Sequence, residues 1–392
     1  MDVIKLLNKE DYDAVFELSQ FAFQYKLSKK EMEEKQAEAK RHTVWGYMDE
    51  DRIAAKLHLI PLTCFIGGKQ FEMGGISSVA TWPEYRRKGM VKQLLLHALH
   101  AMKQSGQTLS FLHPFSFSFY RKFGWEHVFN LKHYSIPMDK MKGSWSGKGY
   151  VRRSSLDIHT LNSIYTDYAK QFSGTLVRDE KWWNQRVFKA MGQLAIAYNE
   201  SNEAEGYIHY QVKDNVLEVN ELVYCNVNGL KLLLEFIANH DSMADTIKMN
   251  VPESDMLSEL MNEPTFKQQI KPYFMARVVD VLSFLEKYPF NVVSPQESIT
   301  IFVEDEFFPE NEGVYELRHD GNGVAVTQMK SKGNNQEMIR CSIQQFTKMF
   351  IGYKRPIDLL ELGFIEGSEA EVKRLETWIP QKQTYYTLSD FF

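Results

Sequence analysis

Four cations cluster around one glycine: Arg86, Arg87, Lys88 and Lys92 flank Gly89. The stretch before them, Ile76-Ser77-Ser78-Val79-Ala80-Thr81, suits an extended backbone. Pro83 ends it, since proline cannot donate to a ladder. After Gly89, residues Val91, Leu94, Leu95, Ala98, Leu99 and Met102 recur at helical spacing. A helix N-terminus offers free N–H groups and about half a positive charge, so it attracts phosphate. Arginine adds a planar fork and lysine a point charge. This arrangement reads as an anion site for a phosphorylated ligand. A basic turn before an ordinary core helix is the other reading. Neither GxxxxGK[ST] nor GxGxxG occurs here.

Two further stretches carry groups that could move protons. Phe115-Ser116-Phe117-Ser118-Phe119-Tyr120 ends in a phenol, which can donate a hydrogen bond or a proton. Taken alone, Tyr120 is one more aromatic in a core-like run. The sequence closes with Thr387-Leu388-Ser389-Asp390-Phe391-Phe392. Chain ends usually fray, so a Phe-Phe ending suggests docking, which would carry a carboxylate into a pocket. A sticky but idle tail is the alternative, and Asp390 is a rival carboxylate. His113 could line a pocket or simply end a strand. Phe23, Tyr25, Trp182 and Trp183 are possible pocket walls, though core packing is the better reading of each one singly.

The elements that must position these groups follow from pattern. Val3–Leu7 reads as a strand, and Asp11 as the cap of a helix bearing Val15, Phe16, Leu18 and Phe21. Residues 28–43 are highly charged and read as a solvated helix. Strands are expected at 43–47, 53–60, 64–66 and 70–73, the last two joined at Gly67-Gly68. Residues 108–112 read as a strand parallel to the one before Pro83, the intervening helix supplying the crossover. Phe119–Trp125 reads as a short helix ended by Gly124. Glu221–Gly229 and the helix after it repeat the strand-turn-helix plan without the basic cluster, a duplicated unit that has lost its phosphate loop. From about residue 298, strands precede helices. The fold class is α+β (α/β mixed), with domains at 1–145, 146–287 and 288–392.

Composition excludes several classes. Of 392 residues, 44% are hydrophobic and 25% charged, as in ordinary globular proteins. No apolar run of about 18 residues occurs, which argues against a membrane partner and makes cytoplasm the default compartment. A net charge of −5 disfavours nucleic acid as a partner. Cys64, Cys225 and Cys341 are widely spaced, which argues against a disulfide framework or a metal site; each reads as a buried structural thiol.

Arg86-Arg87-Lys88-Gly89-Met90-Val91 resembles the [RQ]-x-x-G-x-[GA] loop of the GNAT acetyltransferases, with Val91 where the general pattern has Gly or Ala. The whole chain is similar to the Eis (enhanced intracellular survival) family, bacterial N-acetyltransferases that modify aminoglycosides. The resemblance implies two GNAT domains in tandem, the second degenerate, and a sterol-carrier-protein-like third domain. It implies acetyl-CoA as acetyl donor, a cationic aminoglycoside-like amine as acceptor, and a homo-oligomer, by family a hexamer. It also implies site roles. Backbone amides of Val79, Ala80 and Thr81 bind pantetheine. Arg86, Arg87, Lys88, Gly89, Met90, Val91 and Lys92 take the pyrophosphate, and Phe115 and Ser116 touch the cofactor again. Tyr120 is the general acid, and the terminal carboxylate of Phe392 the general base. Phe23, Tyr25, His113, Trp182, Trp183 and Phe391 fall around the acceptor. The family often has an acid where Tyr25 stands. Protein or peptide lysine acetylation, and a non-enzymatic lipid-binding or scaffold role, are the rival readings.

Overall fold

The computed structural model describes residues 3–143, 145–154, 157–291, 297–319, 323–329 and 338–392. Strands β1 (Ile4–Leu6), β2 (Thr43–Asp49), β3 (Arg52–Ile66), β4 (Lys69–Thr81), β5 (Leu109–Leu112) and β6 (Glu126–His127) begin a first sheet. Strands β7 (Asn130–Pro137), β8 (Tyr150–Arg153), β9 (Gln193–Tyr198), β10 (Ala204–Lys213), β11 (Val216–Tyr224), β12 (Thr246–Val251) and β13 (Lys267–Pro272) form a second. β14 (Met275–Val278) returns to the first sheet. The orders are β1-β2-β3-β4-β5-β14-β6 and β13-β7-β12-β11-β10-β9-β8. Each half therefore lends the other a strand, across the boundary expected near 145. A third sheet, β17-β16-β15-β18, contains β15 (Ser298–Glu304), β16 (Gly313–His319), β17 (Val324–Met329) and β18 (Ile339–Ser342).

Helices α1 (Tyr12–Phe23), α2 (Lys29–Ala39), α3 (Met90–Gln104) and α4 (Phe117–Arg121) serve the first sheet. Helices α5 (Ile158–Ala169), α6 (Glu180–Gln185), α7 (Val227–Ala238) and α8 (Leu257–Leu260) serve the second. Helix α9 (Val281–Lys287) leads to the third, with α10 (Ile343–Ile351), α11 (Pro356–Glu361) and α12 (Glu369–Trp378). By sequence Pro289 and Pro295 flank a linker and residues 336–341 form a strand; of these, residues 292–296, 336 and 337 lie outside the described residues.

α3 forms where the apolar spacing predicts it, burying Leu94, Leu95, Ala98, Leu99 and Met102 on one face. It lies so close to β4 that a Cβ at Gly74 would strike the Met102 sulfur. β3 is one long strand, not two; it runs through Pro61, which sits opposite Gly74. The largest core cluster takes side chains from all three modules, including Phe71, Trp183 and Phe392. The three modules are therefore packed into one another rather than strung on linkers.

Candidate active site

β4 organises the site. Along one edge it pairs with β3, and the register slips so that Leu57 alone faces Ser78 and Val79. This is a β-bulge, and Ser78 takes φ +52° within it. Along the other edge β5 pairs in parallel only from Met73↔Leu109 to Ile76↔Leu112. Past Ile76 the two strands part. Backbone groups of residues 77–81 on that edge lack a strand partner among the described residues, and residues 77–79 line a cleft of about 500 Å³.

At the end of β4 the chain turns through Arg86 to Gly89. Arg87 has φ +64° and Gly89 φ +78°. Alternation of ordinary and left-handed backbone turns successive N–H groups inward, a shape that binds anions. Gly89 is the N-cap of the 15-residue α3, and no side chain caps that end. Arg86, Arg87, Lys88 and Lys92 are exposed around it. A Cβ on Gly89 would meet nothing within 4 Å, so glycine serves its backbone angle there and not space.

On the opposite side of the opening stands Tyr120, on α4. It is 3% exposed, and burial pushes its phenol well above the ordinary tyrosine range. It therefore holds its proton at neutral pH and can donate it. Its ring is packed edge-on by Phe115 at 5.7 Å and Phe119 at 5.1 Å. Ser116 accepts from the Phe119 N–H at 3.3 Å and caps α4, while Phe115 is 76% exposed at the rim.

The C-terminal segment reaches the same cleft. The Phe392 ring lies on β4, where a Cβ at Gly75 would come within 2.8 Å of it. Gly74 and Gly75 thus admit α3 on one face of β4 and the tail on the other. Phe391 turns its ring to His113 at 5.1 Å, and its carbonyl accepts from Arg186 Nη1 at 3.3 Å. Asp390 is fully buried. Its Oδ1 accepts from Arg178 Nε at 2.8 Å and Trp182 Nε1 at 3.0 Å, and its Oδ2 from the Tyr165 hydroxyl at 3.1 Å. Arg178 also grips Glu221 through two hydrogen bonds, of 2.6 and 3.0 Å, and Thr387 at 3.1 Å. Its guanidinium lies 3.7 Å over the Tyr165 ring. Arg178 is held charged, well above the ordinary range: burial opposes the charge, but Asp390 and Glu221 outweigh it.

Phe23, Tyr25, Val79, His113, Phe115, Tyr120, Phe391 and Phe392 all line the one cleft. Trp182 and Trp183 do not, which corrects the reading of them as acceptor walls. Both are buried, Trp182 against Asp390 and Trp183 donating to Asn162 at 2.8 Å. Sequence reasoning missed Lys35, Glu38, His42, His58 and Arg186, which also line it. Residues 28–43 are not a uniformly solvated helix. Lys35, Glu38 and His42 recur at helical spacing, the one signal that could have marked an inward face. His42 Nδ1 lies 3.3 Å from His58 Nδ1, and His58 Nε2 lies 3.3 Å from Lys56 Nζ. Burial lowers His42 to about 4 and Lys56 to about 7. Lys56 donates to the Ser78 carbonyl at 2.9 Å and so braces the bulge. Among the cysteines, Cys64 and Cys341 are buried, but Cys225 is half-buried.

The comparisons agree with this geometry. Residues 3–128 and 174–278 match acetyltransferase (GNAT) domain families, and residues 281–387 match the sterol carrier protein domain. The first two modules are GNAT acetyltransferase domains, and the three-domain fold is Eis-like. The family's donor is an acyl-CoA, and the open edge of β4 and the uncapped start of α3 suit one. An uncharacterized N-acetyltransferase of Streptomyces griseus is 21% identical over 269 residues, spanning 62% of this chain and 64% of that protein. A probable N-acyltransferase of Enterococcus faecalis superposes with a TM-score of 0.90 at 25% identity, covering 98% of this chain and 99% of that one. Eis1 of Mycobacterium abscessus superposes at 0.81 with 15% identity, covering 99% and 100%, a likeness of fold. Among the described residues, no helix is long and apolar enough to cross a membrane.

Proposed function

We propose that this chain transfers an acetyl group from acetyl-CoA directly to an amine. One observation carries the reading: the parting of β4 from β5 opens between the uncapped N-terminus of α3 and a protonated, buried Tyr120. In this reading the loop at Arg86–Lys92 takes the diphosphate, and the unladdered edge of β4 aligns the pantetheine arm. The amine nitrogen attacks the thioester carbon, the C–S bond breaks, the thiolate takes the proton of Tyr120, and the second proton shed by the nitrogen restores the phenol. The ammonium proton passes to the α-carboxylate of Phe392, brought beside the cleft by the docking of its ring on Gly75. Aminoglycosides are the acceptors the family resemblance offers, and a peptide lysine is the second choice. Cytoplasmic location and hexameric assembly belong to the same resemblance.

Thiol release from acetyl-CoA over a panel of amines tests the reading, on the native protein and on Tyr120→Phe. Removal of a general acid is expected to lower kcat by about 10²-fold or more with acetyl-CoA affinity retained. Equal turnover by the two proteins removes Tyr120 from the mechanism. Failure to bind acetyl-CoA by titration calorimetry removes the activity.

A further inference from the structure

The acceptor side of the cleft has a chemistry of its own. Glu38 is the one acidic side chain among the described residues that line it. Its Oε2 pairs with Lys35 Nζ at 3.3 Å, and its Oε1 pairs with Arg186 Nη2. Two cations hold one carboxylate, so these three groups sum to a positive charge. His42 and His58 beside them are kept neutral, chiefly by burial. Much of the remaining wall is aromatic. Phe23 is 49% exposed, Phe115 76% and Phe391 42%, and all three face the same opening. Exposed aromatics gathered at one concave site mark a surface kept for an apolar ligand.

Resting on the acetyl-transfer reading, we propose that the preferred acceptor is an amine with a single ammonium centre on an aromatic or apolar body, not a polycation. The body lies against Phe23, Phe115 and Phe391. The one ammonium is the group that reacts. A second ammonium meets Lys35 and Arg186 and finds no free carboxylate to offset their repulsion, since Glu38 is already taken and the Phe392 α-carboxylate serves the reacting ammonium.

The test is thiol release at saturating acetyl-CoA with 2-phenylethylamine, kanamycin and spermidine on the full chain. The expected kcat/KM for 2-phenylethylamine exceeds those for both polycations by tenfold or more. Phe23→Ala is expected to raise KM for 2-phenylethylamine severalfold at nearly constant kcat. Lys35→Glu, at a partly exposed position, is expected to raise the kcat/KM for kanamycin relative to that for 2-phenylethylamine at least tenfold. Turnover of kanamycin or spermidine ahead of 2-phenylethylamine overturns the acceptor class and leaves acetyl transfer standing. No thiol release with any of the three, on a folded protein that binds acetyl-CoA by titration calorimetry, overturns the acceptor class alone; a folded protein that also fails to bind acetyl-CoA overturns both.

Discussion

Removing the Asp390 carboxylate is the sharpest way to detach the tail without touching the cleft. In Asp390→Ala three buried donors lose their acceptor: Arg178 Nε, Trp182 Nε1 and the Tyr165 hydroxyl. Breaking a buried ion pair from one side costs about 3–5 kcal/mol. Arg178 keeps Glu221, which places the cost near the lower end. Against it stands the burial of the Phe392 ring, about 2–3 kcal/mol. The two are close, with the penalty somewhat larger, so the cheaper response is release of the tail and not unfolding of the chain. A net 1.4 kcal/mol against docking leaves about one molecule in ten docked. The expected result is a kcat about tenfold lower with the KM for acetyl-CoA unchanged, because the partners of Asp390 are Arg178, Trp182 and Tyr165 and none belongs to α3 or its loop. Hydrogen exchange should rise in residues 383–392 and stay constant in α3. Asp390→Asn retains an acceptor for Arg178 and Trp182, so its loss should be two- to fivefold. An Asp390→Ala protein with native kcat and native protection of the tail refutes the clamp.

Other outcomes follow from single positions. Gly75→Ala puts a methyl group where the Phe392 ring lies; kcat should fall severalfold while the urea midpoint moves little, since the ring can swing away. Gly89→Ala meets no atom but must hold φ +78°, costing about 1 kcal/mol; the KM for acetyl-CoA should rise severalfold at nearly constant kcat. Lys56 has its folded pKa lowered to about 7 by burial, while an unfolded lysine titrates near 10.4. Between those values the unfolded chain holds more protons, so stability should rise with pH across that window. Urea melts at pH 7 and pH 9 should show that rise in the native protein and a flatter profile in Lys56→Met.

Local grammar made much of this fold legible. The hairpin at Gly67-Gly68 and the strand-loop-helix of residues 76–102 each declare themselves within a few residues. Helix α10 is bounded by local signals: Ser342 caps its start and Gly352 closes it in the left-handed region. What escaped is non-local. Nothing within residues 130–137 or 275–278 tells those strands to join the opposite sheet; only the pairings do. Pro61 reads as a break because proline lacks a donor, yet β3 continues past it opposite a glycine. Trp182 and Trp183 have the composition of a pocket wall and the burial of a core. Whether such a side chain faces ligand or protein depends on partners such as Asp390, which lies 208 residues from Trp182.

The second GNAT unit shows why the site needs all three modules. β11 and β12 pair in parallel from Val216↔Thr246 to Val219↔Met249 and then part, with a bulge at Asn220 against β10. The plan is that of β4 and β5. But the helix start that would receive a phosphate is occupied: Asn226 caps it by accepting from the Gly229 N–H at 2.9 Å, and a Cβ at Gly229 would lie 2.5 Å from the Glu205 carbonyl. The opening is filled as well. The turn Leu388–Asp390 packs against β11 just where the strand leaves its partner, and Glu221, one residue past the bulge, is half of the clamp on Arg178. In one copy of the unit the parted strands face a free cleft; in the other they hold the end of the chain. In the second unit the corresponding place is the socket that aims Phe391 and Phe392 at the cleft of the first.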